Sequence, residues 1–310
     1  WCEGVGIETV GDLRGYDLDE YYEVRSAEVS PVTLEGEMWT LKMFTEFLED
    51  IGAVDDDLAD SVRIPDLEPG ERSSDKKLHT ESALELLEYY RQSERDYGTR
   101  GHAFLELAWV TGARQGGLRA LDLRDFYADR GFVEFRHRPD EGTPLKNKLR
   151  GERPVALPDE TLAVLNHYIE EYRYDVHDEY GRQPLLASAR GRPGSNTVRG
   201  WSYVATLPCI HSVCPHGKER ETCRWTTYAH ASKCPSSRSP HQIRTGAITY
   251  MLNQGWPPED VAERVNATVK TIEQHYDKSA PEKRRERLRD RMEDRRRSLV
   301  STTYETHDDN

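Results

Sequence analysis

The stretch "SPHQIRTGAITYMLNQG", residues 239–255, carries His241 and Arg244 just ahead of apolar positions that read as a buried helix. Three residues apart at a helix start, the two side chains face one way and are arranged to receive an anion. A second group of reactive types lies immediately upstream. Residues 209–234, "CIHSVCPHGKERETCRWTTYAHASKC", hold four of the five cysteines. In a cytosolic chain, clustered Cys and His point to metal rather than to disulfides, and zinc takes four such ligands in a tetrahedron. Cys214, His216, Cys223 and Cys234 are the expected ligands of a structural Zn2+, with Cys209, His211 and His230 in reserve. With all four ligands supplied by the protein, no position stays open for catalysis.

The elements that must position these groups fall into two units. Residues 34–51 place Met38, Leu41, Phe44, Leu48 and Ile51 at helical spacing, and Trp39, Met43 and Phe47 widen that face into a packed helix of a small α domain. The segment "RIPDLEPGERSSDKKL" (63–78) has linker composition. The expected division is an N-terminal helical domain over 1–72, a larger domain over 73–300, and a disordered tail over 301–310. In the larger domain, 80–93 and 101–114 read as helices, the second nearly all apolar and so central. Residues 131–138 and 151–157 read as strands of a hairpin whose polar turn, "PDEGTPLKNKLR", carries Lys146 and Lys148. A helix follows over 158–173 with Asp159 as N-cap. After Arg244 the helix ends at Gly255, a further helix has prolines in its first turn, and "NATVKTIEQHYDKS" carries Tyr276. The fold class expected is mainly α with a small antiparallel β-sheet.

The chain has 310 residues and a formal charge of −13, enough length for two domains with real cores. No apolar run reaches the eighteen residues a membrane span needs. Nothing at the start follows a signal peptide's order, and a cytoplasmic protein is expected. The acidic total argues at face value against DNA as partner. Basic stretches at 150–154 and 278–297 qualify this, because a salt-adapted cytoplasm produces an acidic surface that leaves one face basic.

Arg114 in "TGARQGGLRALDLRDF" precedes the hairpin, and from Arg244 to Gly255 and Tyr276 the intervals are 11 and 32 residues. In this order the chain resembles the tyrosine recombinases, the phage-integrase and Xer-like enzymes of site-specific DNA strand exchange. "TGAR" with "LRALDL" is similar to the family's first arginine box and "HQIR" to its HxxR box. The resemblance implies Arg114, His241 and Arg244 as catalytic residues, Tyr276 as nucleophile, and a catalytic lysine at Lys146, with Lys148 the alternative. It further implies that the first unit is a core-binding domain, that four protomers act on two synapsed duplexes, and that cleavage leaves a 3′-phosphotyrosine. The Cys/His insert looks like that of haloarchaeal integrases, which implies an archaeal mobile element such as a virus.

The residue types suit this chemistry. A phenol of pKa about 10 serves both as nucleophile and as leaving group, and the planar fork of arginine matches the non-bridging oxygens of a phosphodiester. Lys146 can bring the proton that the leaving 5′-oxygen needs, His241 can exchange one with Tyr276 or bond to the phosphate, and no metal enters this chemistry. The chain also departs from the family pattern. Ala267 stands where the family has His or Trp, Gly117 where it favours an acid, and Thr245 follows Arg244. An alternative of a different class is therefore a degenerate, zinc-containing helix-turn-helix regulator reading DNA through 257–276; a monomeric type IB topoisomerase would share the chemistry.

Overall fold

The structure is a computed structural model that describes residues 4, 6–68, 76–275 and the isolated positions 289, 292 and 296. The expectations for Tyr276, the Arg-rich stretch 278–297 as a whole and the tail 301–310 lie outside the described residues. The chain separates into two compact units, Trp1–Asp75 and Lys76–Asn310.

The first unit packs α1 (Gly15–Glu28) and α2 (Pro31–Asp50) with a turn at Leu58–Ser61 around Leu18, Leu34, Met38 and Leu48. Ser30 caps α2 by accepting from the Thr33 N–H, with Pro31 at the first helical position. The wide apolar face expected of α2 is corrected here. Met38 is fully buried, but Trp39, Met43, Phe44, Phe47 and Ile51 are all exposed. Among the described residues, α1 and the short segments on either side of the helix pair cover the Leu34–Met38–Leu48 line and leave the flank open. Residues 1–75 hold 21 acidic and 5 basic side chains, whereas residues 76–310 hold 35 and 38. The acidic balance of the chain is thus the property of one unit.

The second unit is built on α4 (Arg100–Thr111), nearly every residue of which is buried. Around it pack α3 (Thr80–Gln92), α6 (Asp159–His167), α7 (Ser195–Ala205) and α8 (Pro240–Asn253), with α5 (Gln115–Ala120) against α7. Two shorter helices, α9 (Pro258–Val265) and α10 (Val269–His275), follow. Three short strands, β1 (Phe126–Tyr127), β2 (Phe132–Phe135) and β3 (Arg153–Ala156), form an antiparallel sheet in the order β1-β2-β3, with Val133 opposite Val155 and Phe135 opposite Arg153. The mainly helical fold with a small antiparallel sheet is as expected. The helix expected over 158–173 instead winds from α into a π turn at Tyr168–Tyr172, and Asp159 is its first helical residue after Pro158 rather than the cap.

Glu106 is fully buried in α4 and tied to three neighbours. Arg91 of α3 donates to it through Nε and Nη2 at 2.6 and 3.1 Å, the Thr161 hydroxyl of α6 donates at 3.0 Å, and His102 Nε2 lies at 3.4 Å. Burial pushes its carboxyl up, and the His102 and Arg91 hydrogen bonds more than reverse this, so its pKa lies below the usual value.

Residues leading into α3 are fastened to α8. The Leu78 N–H donates to the Gln242 carbonyl at 3.0 Å, and Arg238 Nε donates to the Lys77 carbonyl at 2.9 Å. At Gly246 a Cβ would stand 2.1 Å from the Leu78 carbonyl oxygen, so only glycine allows α8 this close.

Candidate active site

The "SPHQ" segment starts α8 as a capping box: Ser239 Oγ accepts from the Gln242 N–H, Gln242 Oε1 accepts from the Ser239 N–H at 2.9 Å, and Pro240 takes the first helical position. His241 and Arg244 therefore sit in the first turns, where the helix dipole favours an anion. Arg114 arrives from the other side. α4 ends at Gly112 with φ +55, and a Cβ there would meet Val265 at 2.8 Å. The backbone then runs extended into Arg114, the N-cap of α5.

The two boxes meet at the C-terminus of α9, whose last carbonyls are orphans of the helix. Asn266 caps it in the left-handed conformation at φ +53. Three consecutive carbonyls then each accept from a different arginine. Arg153 Nε donates to Arg264 O at 2.6 Å, Arg244 Nη1 to Val265 O at 2.7 Å, and Arg114 Nη1 to Asn266 O at 2.6 Å. Arg244 Nη1 also donates to Gly112 O at 2.6 Å, joining the turn ahead of Arg114 to the HxxR helix.

The hairpin is latched to the same place. Asn147 Nδ2 donates to Asn266 Oδ1 at 2.6 Å and Asn266 Nδ2 to Arg150 O at 2.8 Å. Lys146, exposed, lines a groove of ≈ 980 Å³ with Lys148, Asn266, Ala267 and Thr268. His241 feels the whole group. Its pKa is held below the ordinary imidazole value, first by loss of hydration and then by the positive fields of Arg244, Arg114 and Lys146. The ring is thus neutral at neutral pH and free to take a proton. Four of the five site residues read from the sequence, Arg114, Lys146, His241 and Arg244, are brought together. The fifth, Tyr276, lies outside the described residues, directly after the last residue of α10. Of the two hairpin lysines, Lys146 is the one whose field reaches His241.

Two departures from the family pattern have a local cause or consequence. A Cβ at Gly117 would stand 3.3 Å from the Phe135 ring, so that any side chain there requires the ring to give by a few tenths of an ångström. At Ala267 the short side chain leaves the groove beside Lys146 open.

The expected zinc site finds no support: no group of three Cys, His, Asp or Glu among the described residues, Cys214, His216, Cys223 and Cys234 included, is placed to hold a metal ion. Cys209, Cys214, Cys223 and Cys234 are free thiols. His216 shares a hydrogen bond with Ser236 at 3.0 Å and stands edge-on to Trp225. The insert is organised by packing instead: Ala231 is fully buried, Ser237 Oγ donates to its carbonyl at 2.7 Å, and the Tyr228 hydroxyl donates to Thr197 O of α7 at 3.2 Å.

Comparison with known proteins follows this geometry. The model of the Phage integrase family matches residues 76–283. Among solved structures the chain is similar to the Tn1549 transposon integrase in complex with a circular intermediate DNA, with a TM-score of 0.60 at 14% identity over 91% of this chain and 86% of that one. It is also similar to a lambda integrase dimer bound to a COC′ core site, with a TM-score of 0.56 at 14% identity over 88% and 83% of the two chains. No curated protein matches the sequence. No helix among the described residues is long and apolar enough to cross a membrane. The chain belongs to the phage integrase family and is a tyrosine recombinase, an enzyme that breaks and rejoins DNA strands.

Proposed function

We propose that this recombinase acts at specific sites in double-stranded DNA through the residues gathered at the end of α9. Arg114 and Arg244 hold the non-bridging oxygens of one phosphodiester. The Tyr276 phenol gives its proton to neutral His241 and its oxygen bonds to phosphorus. The P–O5′ bond breaks and Lys146 protonates the departing oxygen, leaving a 3′-phosphotyrosine whose bond energy serves rejoining. The observation that carries this reading is the convergence of Arg114 and Arg244 on adjacent carbonyls, with Lys146 and His241 within their field. The test is covalent trapping on a nicked duplex selected by the protein from a random pool. A detergent-stable adduct is expected, mapped to Tyr276 by peptide mass spectrometry and absent from Tyr276→Phe. Sequence-specific binding without an adduct from either protein would instead mark a regulator.

The N-terminal unit stands ahead of the catalytic unit as the family's core-binding domain does, and assembly on DNA is as four protomers in the cytoplasm. Its 21 acidic against 5 basic side chains support a haloarchaeal setting, in a virus or other mobile element. Repulsion among these charges is screened by salt. The thermal midpoint is therefore expected to rise steadily between about 0.1 and 3 M KCl, given a Debye length that shrinks from about 10 to under 3 Å over that range. A midpoint that falls or stays flat removes this reading.

A further inference from the structure

Three arginines meet the end of α9, and the third, Arg153, has no role in the reaction as described so far. Strand alternation puts it on the same inward face as Val155, which is buried. Its guanidinium lies 4.4 Å over the Phe135 ring, directly across the sheet. Nε donates to Arg264 O and Nη1 to Gly151 O, at 2.6 and 2.9 Å. Nη2 has no partner among the described residues, and no carboxylate among them pairs with Arg153. The charges that act on this guanidinium are those of Arg244, Arg114 and Arg264, all of its own sign, and together with burial they push its pKa down to about 9. The guanidinium is half-buried, and a cation partly withdrawn from water among other cations is stabilised by an anion nearby. The surroundings also show a gap for a donor: Ala267 has no polar side chain, and the Phe135 ring fills the space beside Gly117.

We propose that Arg153 is a third guanidinium of the phosphate site, donating through Nη2 to a non-bridging oxygen of the scissile phosphodiester in place of the donor that Ala267 lacks. The proposal rests on the reading that Tyr276 attacks a DNA phosphate held by Arg114 and Arg244. Arg153 is anchored on β3 through its other two nitrogens, so the donor is held in place before DNA arrives.

The test measures adduct formation for the unsubstituted protein, Arg153→Ala, Arg153→Gln and Arg153→Lys. Two selected nicked duplexes are used, one natural and one with a neutral methylphosphonate at the scissile position. On the natural duplex Arg153→Ala and Arg153→Gln are expected to be slower by about 10²-fold, the size of one lost charge-stabilising donor, and Arg153→Lys to recover about tenfold of that. On the methylphosphonate duplex, where a non-bridging charge is gone, the two neutral variants are expected to come within about threefold of the unsubstituted protein. Equal slowing on both duplexes would show that Arg153 only braces Arg264 and Phe135, and overturns the proposal, as does a natural-duplex rate within threefold of normal. Arg153→Gln keeps the side-chain bulk, so the comparison stands if the alanine variant does not fold. No adduct from the unsubstituted protein on either duplex would overturn the recombinase chemistry itself, and the proposal with it.

Discussion

Arg244→Ala is expected to lower covalent cleavage by about 10²–10³-fold, or about 3–4 kcal/mol of transition-state stabilisation. Two contributions combine. The guanidinium is 2% exposed and bridges Gly112 O to Val265 O, so its removal takes a clamp from the phosphate and also unties the turn ahead of Arg114 from α9. Arg244→Lys separates the two: it restores a charge without the fork that spans both carbonyls. It is expected to bind the selected duplex within about threefold of the unsubstituted protein and still to cleave more than tenfold slower, since positioning and charge both act at the phosphate. Single-turnover adduct formation with binding measured in parallel decides it. Cleavage by Arg244→Ala within threefold of normal would remove Arg244 from the chemistry.

Glu106→Ala is expected to cost about 3 kcal/mol of stability, the lower end for breaking a buried charged pair, read as a shift of the urea midpoint. The carboxylate satisfies Arg91, His102 and Thr161 at once. Its pKa is depressed in the folded state. Its stabilisation is therefore fully present above the ordinary glutamate pKa and is lost as pH falls through the lower folded value. The acid limb of the stability profile, below about pH 4.5, should accordingly flatten in Glu106→Ala. A midpoint moved by less than the equivalent of about 1 kcal/mol, or an unchanged acid limb, would show that α3, α4 and α6 hold together without it.

Much of this architecture was legible where composition and period agree. The central α4, the hairpin strands and α8 follow from apolar density, alternation and turn residues. α1 was missed because "GYDLDEYYEVRSAE" mixes tyrosines and charges with little contrast between faces, and only Leu18 of it is buried. The open flank of α2 was misread because periodicity tells which residues could pack, not how many neighbours the unit has to cover them. In the Cys/His insert the residue types suit a metal, but among the described residues no three of them are placed to hold one. Arg153 enters the sequence reading only as part of the basic stretch 150–154. The signal available was its period-two partnership with Val155, which places it inward.

The fastening of residues 77–78 to the start of α8 has a mechanical meaning. A displacement of residues 77–78 is passed directly to the turn that presents His241 and Arg244. Within this unit the start of α3 and the turn that presents His241 and Arg244 are thus one mechanical piece, held by two backbone carbonyls and by the bare Cα of Gly246.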